Sequence, residues 1–310
     1  APINDPEVLA ITSPDVAFKG MLGHKMSKKS SYNLDLVVLI KSCATCFKDR
    51  TRARATFMQP QMWGDFRIKF LFVTGLPYAS SSPITTVGGV QIHYDHARIT
   101  NNTELKNALR MLFQEAQQYG DLLIGGFRDS YCNLTLKLTL TFRWASVFYA
   151  DQAPIFLFMD DDFTVIPVNI ASFVRTLTLE EQLQLIGGLP TLAPFPYRPL
   201  TDPRGNKWAV SRDDYPWNIY PNFPHGGAYM VGSNRVCDAA IVMAFTRPIR
   251  LDDVFLGLVW RKLHYFPLVI PGFLKHIGNA EVAVKTKVAF YSALSPYIDW
   301  NASKYWVRGG

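Results

Sequence analysis

The chain has 310 residues, of which 48% are hydrophobic and 18% charged, and its formal net charge is +7. This length fits one large α/β domain or two modest ones, and the apolar content excludes a disordered protein. The 20 glycines and 20 prolines follow no period, which excludes collagen-like and coiled-coil chains. Basic residues form no run long enough for a nucleic-acid-binding tail. The net charge alone therefore does not indicate which kind of partner the protein binds.

Targeting signals are also missing from the sequence as given. No segment approaches the roughly 18 consecutive apolar residues of a membrane span, and the opening APINDPEV does not resemble a signal peptide. We therefore expect either a cytosolic protein or a chain that begins after a removed targeting segment. Three Asn-X-Ser/Thr sites, at Asn101, Asn133 and Asn301, slightly favour the secretory route. The four cysteines allow up to two disulfides without indicating a disulfide scaffold.

Apolar runs of strand length divide the chain after an initial arm or stem over residues 1–32. These runs cover 34–40, 68–73, 155–159 and 183–186. A continuous apolar run predicts a strand that is buried on both faces, as in a parallel sheet.

Helical periodicity separates the apolar runs. Apolar residues at spacings of three and four predict helices over 105–116, 134–148, 233–244 and 252–263. Asn102 or Thr103 would cap the first of them. Strands that alternate with helices predict an α/β fold with a mostly parallel sheet. The proline-rich and aromatic segment 190–224 is predicted to form an ordered flap beside the site.

Three consecutive carboxylates, Asp160, Asp161 and Asp162, follow the apolar run 155–159 directly. The carboxyl ends of strands in an open α/β sheet face the ligand crevice. Oxygen ligands of this kind suit Mg²⁺ or Mn²⁺, which would relieve the repulsion between the carboxylates. An acidic turn in solvent is the alternative interpretation.

A second acidic pair, Asp252 and Asp253, begins the last predicted helix. Capping and the helix dipole account for one carboxylate at such a position. The other interpretation makes one of them a general base that faces the ion site. Upstream, Gly226 and Gly227 would let a ligand approach the backbone closely, and a plain turn explains them almost as well.

These motifs occur in a recognisable order with several others between residues 34 and 263. They are VVLIKS at 37–42, RTRARAT at 50–56, FLFVTG at 70–75, FRDSYCNLTLK at 127–137, the acidic triplet, YPNFPHGGAYMVG at 220–232 and LDDVFLG at 251–257. In this order they resemble the β-1,3-glycosyltransferases of the galactosyl/N-acetylglucosaminyltransferase family, glycosyltransferase family 31. Within that family, the chain is most similar to the Brainiac-like branch.

The resemblance implies a GT-A fold, with a Rossmann-like, mostly parallel central sheet and flanking helices, in a single domain over residues 33–310. The nucleotide-binding half would cover about 33–165 and the acceptor half about 166–310. The implied activity is the inverting β-1,3 transfer of a hexose or N-acetylhexosamine from a UDP-sugar to a glycan on lipid or protein. The resemblance also implies Mn²⁺, no nucleic-acid partner, and a Golgi-lumenal location with a membrane anchor that is absent from this chain.

The resemblance assigns roles to individual residues as well. Asp162 and Asp160 would bind the metal, and Asp253 would be the catalytic base. The donor would be bound by Arg50, Arg54, Lys137, Asp161, Gly226 and Gly227. The acceptor would be bound by Trp217, Tyr220 and Asp252. Asn133 matches a sequon that is frequent in the family motif.

Three positions depart from the family pattern: Phe57 replaces a tryptophan, Asp252 replaces a glutamate, and Tyr291 stands in the position of a metal-binding histidine. The last departure leaves a catalytically inactive sugar-binding relative as an alternative. A metal-dependent phosphoesterase would use the same acidic triplet, but the six histidines have no paired spacing. A redox role for Cys43-Ala-Thr-Cys46 is the third alternative.

Overall fold

The computed structural model describes residues 10–12, 32–93, 99–192, 194–274, 289–291, 298–302, 304 and 306–307. The strands are β1 (Ala10–Thr12), β2 (Leu36–Lys41), β3 (Ile68–Leu76), β4 (Ile84–Val87), β5 (Val90–His93), β6 (Leu122–Arg128), β7 (Ile155–Asp160), β8 (Phe163–Val165), β9 (Ile186–Thr191), β10 (Phe223–Gly232), β11 (Leu268–Val269), β12 (Phe273–Leu274) and β13 (Ala289–Tyr291). The α-helices are α1 (Phe47–Ala55), α2 (Asn102–Tyr119), α3 (Leu134–Phe148), α4 (Pro167–Arg175), α5 (Leu179–Gln184), α6 (Ser233–Ala244) and α7 (Asp252–Lys262).

An eight-stranded sheet forms the centre of the fold, in the order β1-β6-β3-β2-β7-β10-β9-β11. Strands β6, β3, β2 and β7 are parallel, and β10 runs antiparallel between β7 and β9. Helices lie against both faces. This arrangement confirms the predicted α/β class and its mostly parallel, Rossmann-like sheet, and it is consistent with a GT-A fold.

The two central strands show why the sheet is buried on both faces. Every residue of β2 is buried, and so are the first five residues of β7. Val38 and Ile40 belong to the core on one face, while Val37 and Leu39 belong to the core on the other. Each such side chain contributes roughly 1.5–3 kcal/mol when it leaves water. The strands therefore hold their ends, and the polar residues there, in fixed positions.

The predicted helices agree with the structure except at their ends. Helix α3 covers the predicted 134–148, and α6 and α7 match within one residue. The predicted cap of α2 is wrong: Asn101 is the cap, because its side chain accepts a hydrogen bond of 2.9 Å from the Glu104 N–H. The predicted strand over 183–186 is also wrong, since α5 occupies this region up to Gln184 and β9 begins only at Ile186.

The segment between β9 and β10 is an ordered flap, as predicted. It contains one short 3-10 helix, Pro203–Asn206, and the Tyr220 N–H closes it on the Pro194 carbonyl at 2.9 Å. Inside the flap, Arg198 donates hydrogen bonds to the carbonyls of Tyr215 and Trp217. Hydrogen bonds among its own residues therefore stabilise the flap.

Two peripheral segments extend the sheets. Residues 10–12, within the predicted stem, form β1 and pair with β6, whereas the other residues of the stem up to 31 lie outside the described ranges. In a second sheet, β13 pairs with β8 so that Tyr291 lies opposite Phe163. The segment that carries Tyr291 therefore passes beside the acidic triplet. Among the helices in the described ranges, none combines the length and hydrophobicity required to cross a bilayer.

Candidate functional site

A buried lysine joins the two acidic motifs at the carboxyl edge of the sheet. Lys41 ends β2 and lies in parallel register with Asp160, the last residue of β7. The Lys41 Nζ is 3.0 Å from Asp160 Oδ1 and 2.6 Å from Asp252 Oδ2. Burial lowers the pKa of Lys41, but the charges of Asp160 and Asp252 outweigh it, so the pKa is raised and the ammonium stays charged. The acidic triplet and the acidic pair therefore share one site.

The first turn of α7 brings Asp253 to this site. The Val254 N–H donates a 2.8 Å hydrogen bond to Asp253 Oδ1, as expected for a carboxylate at a helix N-terminus. In the described part of the chain, Asp253 has no ion-pair partner. Burial, with a second contribution from the charge of Asp252, raises the pKa of Asp253 to about 7. A carboxyl group with this pKa is suited to exchanging protons near neutral pH.

The acidic triplet carries more negative charge than its surroundings neutralise. Burial raises the pKa of Asp160 to about 7, and the charges of Asp252 and Asp162 add to this effect while Lys41 opposes it. Burial likewise raises the pKa of Asp161 to about 6 and shifts the pKa of Asp162 upward. A divalent cation would relieve this charge, and the carboxylate oxygens of Asp160 and Asp162 are the ligands that Mn²⁺ prefers. The residues therefore fit the implied metal.

The paired glycines lie within β10, so the interpretation as a plain turn is wrong. A Cβ on Gly226 would lie 3.4 Å from Asp253 Cβ, which is ordinary contact, so β10 passes close beside the base. A Cβ on Gly227 would lie 2.2 Å from the Phe163 ring, which is a collision. Gly227 therefore allows Phe163 to pack directly after the triplet, and a role of either glycine in donor binding stays a prediction.

Arg50, which the sequence predicted to bind the donor, forms its contacts with protein groups. Its guanidinium is fully buried and contacts Glu115 at 2.7 Å and the Cys43 carbonyl at 2.6 Å. A third contact, of 2.9 Å, reaches the Ser42 hydroxyl. These contacts fix the loop between β2 and α1. The ion pair with Glu115 favours a structural role for Arg50, and donor binding by Arg50 stays a prediction.

Arg54 and Lys137 also contact protein groups, and donor binding by either residue stays a prediction. Arg54 forms ion pairs of 2.6 Å with Glu115 and 2.8 Å with Asp121. Lys137 is buried, donates a 2.7 Å hydrogen bond to the Ser42 carbonyl and pairs with Asp129 at 2.7 Å. The donors of both cations are directed at protein groups rather than at an open cleft.

An aromatic row leads from the surface of the flap towards the base. Trp217, with 63% of its surface exposed, packs edge-on against Tyr215, whose ring centre is 4.7 Å from that of Tyr220. Tyr220 is buried, and no hydrogen-bond partner of its hydroxyl lies in the described ranges. Burial raises the Tyr220 pKa, and the charge of Asp253 adds to this shift. The predicted acceptor residues Trp217 and Tyr220 thus belong to one aromatic row, and their role in acceptor binding stays a prediction.

Arg250 attaches the flap to the start of α7. It is buried two residues before Asp252 and donates hydrogen bonds to the carbonyls of Lys207 at 2.7 Å and Asn206 at 3.1 Å. It also donates to the Ala209 carbonyl. The flap and the base are therefore connected through one side chain.

Sequence reasoning missed Lys41 and Tyr229 as site residues. Tyr229 lies in β10, stacks on Phe158, and has a pKa raised by burial and by the charges of Asp252 and Asp160. The signal for Lys41 was present, since the apolar run of β2 ends in a cation at the same sheet edge as the triplet.

The three predicted glycosylation sites occupy different environments. Asn101 is exposed and caps α2, and Asn301 is also exposed. Asn133 is half-buried, and its side-chain nitrogen donates a 2.8 Å hydrogen bond to the Arg128 carbonyl. Modification at any of the three stays a prediction.

Comparison with known proteins identifies the family. The family model described as "Galactosyltransferase" matches residues 100–265, more than half of the chain. The chain belongs to the galactosyltransferase family. The match includes the acidic triplet, the paired glycines and the acidic pair of α7, whereas Lys41 lies before the matched region.

Sequence identity between this galactosyltransferase family member and individual relatives is low. The chain is 27% identical to human lactosylceramide 1,3-N-acetyl-beta-D-glucosaminyltransferase over 277 residues, covering 86% of this chain and 64% of that protein. It is 30% identical to the Drosophila melanogaster beta-1,3-galactosyltransferase brn over 148 residues, 48% of this chain and 44% of that protein. It is 25% identical to Mus musculus UDP-GalNAc:beta-1,3-N-acetylgalactosaminyltransferase 1 over 232 residues, 75% and 61% of the two chains. The chain thus spans less than two thirds of each relative.

A solved structure, that of 4-diphosphocytidyl-2C-methyl-D-erythritol synthase from Anaerococcus prevotii DSM 20548, aligns with 82% of this chain and 95% of that chain. The TM-score is 0.35 at 9% identity. A similarity this low carries no argument, and the description of the fold rests on the strand order and register given above.

Proposed function

We propose that this protein is a β-1,3-glycosyltransferase that moves a hexose or N-acetylhexosamine from a UDP-sugar to a glycan hydroxyl. The observation that carries the proposal is the Lys41 bridge, which brings Asp160 and Asp252 to the same sheet edge with Asp253 adjacent. A leaving diphosphate and an incoming hydroxyl need these two kinds of acidic group side by side. Membership of the galactosyltransferase family and the names of the relatives support the reaction class.

Asp253 is the base in this proposal. Its Oδ1 is held by the Val254 N–H, which fixes the direction of the carboxylate. With a pKa of about 7, a large fraction of Asp253 is ionised at neutral pH and accepts the proton of the acceptor hydroxyl. The hydroxyl oxygen then bonds to the anomeric carbon of the donor as the bond from that carbon to UDP breaks. A single displacement inverts the anomeric centre, so an α-linked donor gives a β-linked product.

Asp160 and Asp162 would hold Mn²⁺, which when bound supplies positive charge beside the diphosphate. Lys41 neutralises part of the charge of Asp160 and Asp252 and keeps both carboxylates in place. Tyr291, beside the triplet in β13, takes the sequence position at which the family resemblance implies a histidine ligand. The carboxylates of Asp160 and Asp162 are therefore central to metal binding in this proposal.

The acceptor would lie against Trp217, the exposed end of the aromatic row, with Tyr215 and Tyr220 packed behind it. Aromatic faces give sugar rings a large apolar contact area, and a tyrosine adds a polar end. Asp252, with one oxygen on Lys41, would contact an acceptor hydroxyl through the other. The acceptor would be a glycan on lipid or protein, in the Golgi lumen, with the enzyme anchored by a segment outside this chain.

A donor panel tests the proposal. We would measure UDP release from UDP-GlcNAc, UDP-GalNAc and UDP-Gal with a β-galactoside acceptor, with and without Mn²⁺. Transfer that requires both acceptor and Mn²⁺, and that is lost in Asp162→Asn at unchanged thermal stability, is the expected result. No turnover of any donor, together with retained sugar binding, would indicate an inactive relative. Hydrolysis of simple phosphoesters would indicate a phosphoesterase.

A further inference from the structure

The loop between β2 and α1 contains a disulfide at the same edge of the sheet as the acidic triplet. Cys43 and Cys46 are bridged, with a Cα–Cα distance of 5.0 Å. Cys46 is the residue immediately before α1 and occupies its N-cap position. The proposed transfer reaction uses neither cysteine.

Two carboxylates surround the sulfur of Cys46. Asp49 lies in the first turn of α1, and Asp161 lies in the turn after β7. The Cys46 Sγ and one carboxylate oxygen from each aspartate all lie within 4.8 Å of one another. One thiolate and two carboxylates at this spacing would provide three ligands for a divalent cation.

A separate observation points to a missing ligand at this position. The Oδ2 of Asp161 is enclosed by protein, and no hydrogen-bond partner for it lies in the described part of the chain. The residue itself is fixed, because its N–H donates to the Lys41 carbonyl at 3.0 Å and its carbonyl accepts from Arg52 at 2.7 Å. A buried carboxylate oxygen without a partner is costly, and a cation would satisfy it.

We propose that reduction of the Cys43–Cys46 disulfide opens a second cation site, formed by Cys46, Asp49 and Asp161, for a thiophilic divalent ion such as Zn²⁺ or Cd²⁺. Sulfur and oxygen ligands together suit these ions, whereas Mn²⁺ prefers the oxygen ligands of Asp160 and Asp162.

The chemistry balances with a dithiol reductant. Two protons and two electrons pass from the reductant to the disulfide, which gives the Cys43 and Cys46 thiols and a cyclic disulfide. Cys46 then releases one proton to solvent as its sulfur bonds to the metal ion. Because Arg52 contacts Asp49 Oδ1 at 2.8 Å, Asp49 would bind the ion through its other oxygen.

Two cysteine variants provide a matched test, because each removes the disulfide and each keeps the free cysteines Cys132 and Cys237. We would titrate Cd²⁺ into Cys43→Ser and Cys46→Ser without reductant and record the ultraviolet charge-transfer absorption of a cadmium–thiolate bond. Cys43→Ser leaves Cys46 free and is expected to bind one equivalent of Cd²⁺. Cys46→Ser, in which Cys43 is the thiol set free, is expected to show only the background from Cys43, Cys132 and Cys237.

The wild-type protein gives a second measurement that does not depend on these variants. Its oxidised form is expected to show only the background from Cys132 and Cys237, and its reduced form an additional cadmium–thiolate band, which should be lost in reduced Asp49→Asn. Equal binding by the two serine variants, or a band of unchanged strength and affinity in reduced Asp49→Asn, would overturn the proposal. Neither measurement uses transferase activity, so its result is independent of the proposed function.

Discussion

Two groups of charged residues lie near the same sheet and differ in how completely their charges are paired. In the arginine cluster (Arg50, Arg54, Glu115 and Asp121), two cations face two anions through ion pairs of 2.6–2.8 Å. In the acidic edge (Asp160, Asp161, Asp162, Asp252 and Asp253), one lysine faces two of five carboxylates. The difference shows which motif residues build the fold and which are available for chemistry.

The pKa values express the same difference. Burial would raise the pKa of Glu115, but hydrogen bonds and charges from Arg50 and Arg54 outweigh burial and lower it. Burial raises the pKa of Asp160 and Asp253 to about 7, because the opposing charge nearby is insufficient. Clusters of perturbed carboxyl groups of this kind are typical of functional sites.

The largest expected effect is on the base at the acidic edge. Asp253→Asn removes the proton acceptor and keeps the shape of the side chain, so kcat should fall by about 10²- to 10⁴-fold. The KM for the UDP-sugar should change little, because Asp253 faces the acceptor hydroxyl. Initial rates at varied donor concentration measure both constants. Equal losses in kcat and donor affinity would instead place Asp253 in donor binding.

The arginine cluster should respond in stability rather than in catalysis. Arg50→Met leaves the buried Glu115 with one cation fewer and should lower the free energy of unfolding by roughly 3–5 kcal/mol. Denaturant unfolding measures this loss. Arg67→Met is the matched control, because its ion pair with Asp35 is exposed and should contribute about 0–1 kcal/mol. If Arg50→Met stayed stable but lost donor affinity, Arg50 would be a ligand residue after all.

The pH dependence of transfer should show the raised pKa of Asp253. The base acts when ionised, so kcat/KM for the acceptor should rise with pH, by about tenfold per unit well below pH 7, and level off above it. Asp253→Asn should remove this limb from the profile of residual activity. A wild-type profile that is flat between pH 5 and 8 would contradict the assignment.

The smallest effect concerns stability and the metal. The folded pKa of Asp160 exceeds that of an unfolded aspartate, so the folded state binds the extra proton and stability falls as pH rises towards 7. Mn²⁺ should offset this loss and raise the melting temperature more at pH 8 than at pH 6, where protons compete for the ligands. Calorimetry of wild type and Asp160→Asn, which should lose most of the shift, checks this prediction. An equal shift in both proteins would exclude Asp160 as a ligand.

Much of the fold was predictable because some elements carry complete local signals. The apolar runs of β2 and β7 and the periodicity of α3 and α7 gave these elements nearly their observed bounds. Among the strands of the central sheet that were not predicted are β6, β9 and β10. All three contain a pair of glycines, and glycine is normally depleted in strands.

These glycines are required by large side chains that approach them only in the folded chain. A Cβ on Gly125 would lie 2.3 Å from the Phe127 ring, and a Cβ on Gly187 would lie 2.6 Å from Ile270. A Cβ on Gly227 would collide with Phe163. The large side chain that needs the space lies two residues away in the first case and more than 60 residues away in the others. Local sequence patterns do not predict these contacts with distant residues.

The carboxylates of the site were predictable, and the roles of its cations were not. The end of a predicted strand and the start of a predicted helix indicated Asp160 and Asp253 as site residues. Lys41, at the end of an apolar run, was not predicted as a site residue. Arg50 has the sequence context of a ligand-binding residue, and only its pairing with Glu115, 65 positions away, shows its structural role. Positive charges in motifs are ambiguous until their partners are known.

The three carbonyl contacts of Arg250 have a consequence for how the proposed acceptor specificity could diverge between related proteins. One guanidinium connects the surface that would select the acceptor to the helix that would deprotonate it. Changes in loop length or sequence around residues 206–209 would therefore be transmitted to the chemistry. A chimera that grafts a different acceptor loop should inherit the new preference only if it again offers these carbonyls to Arg250.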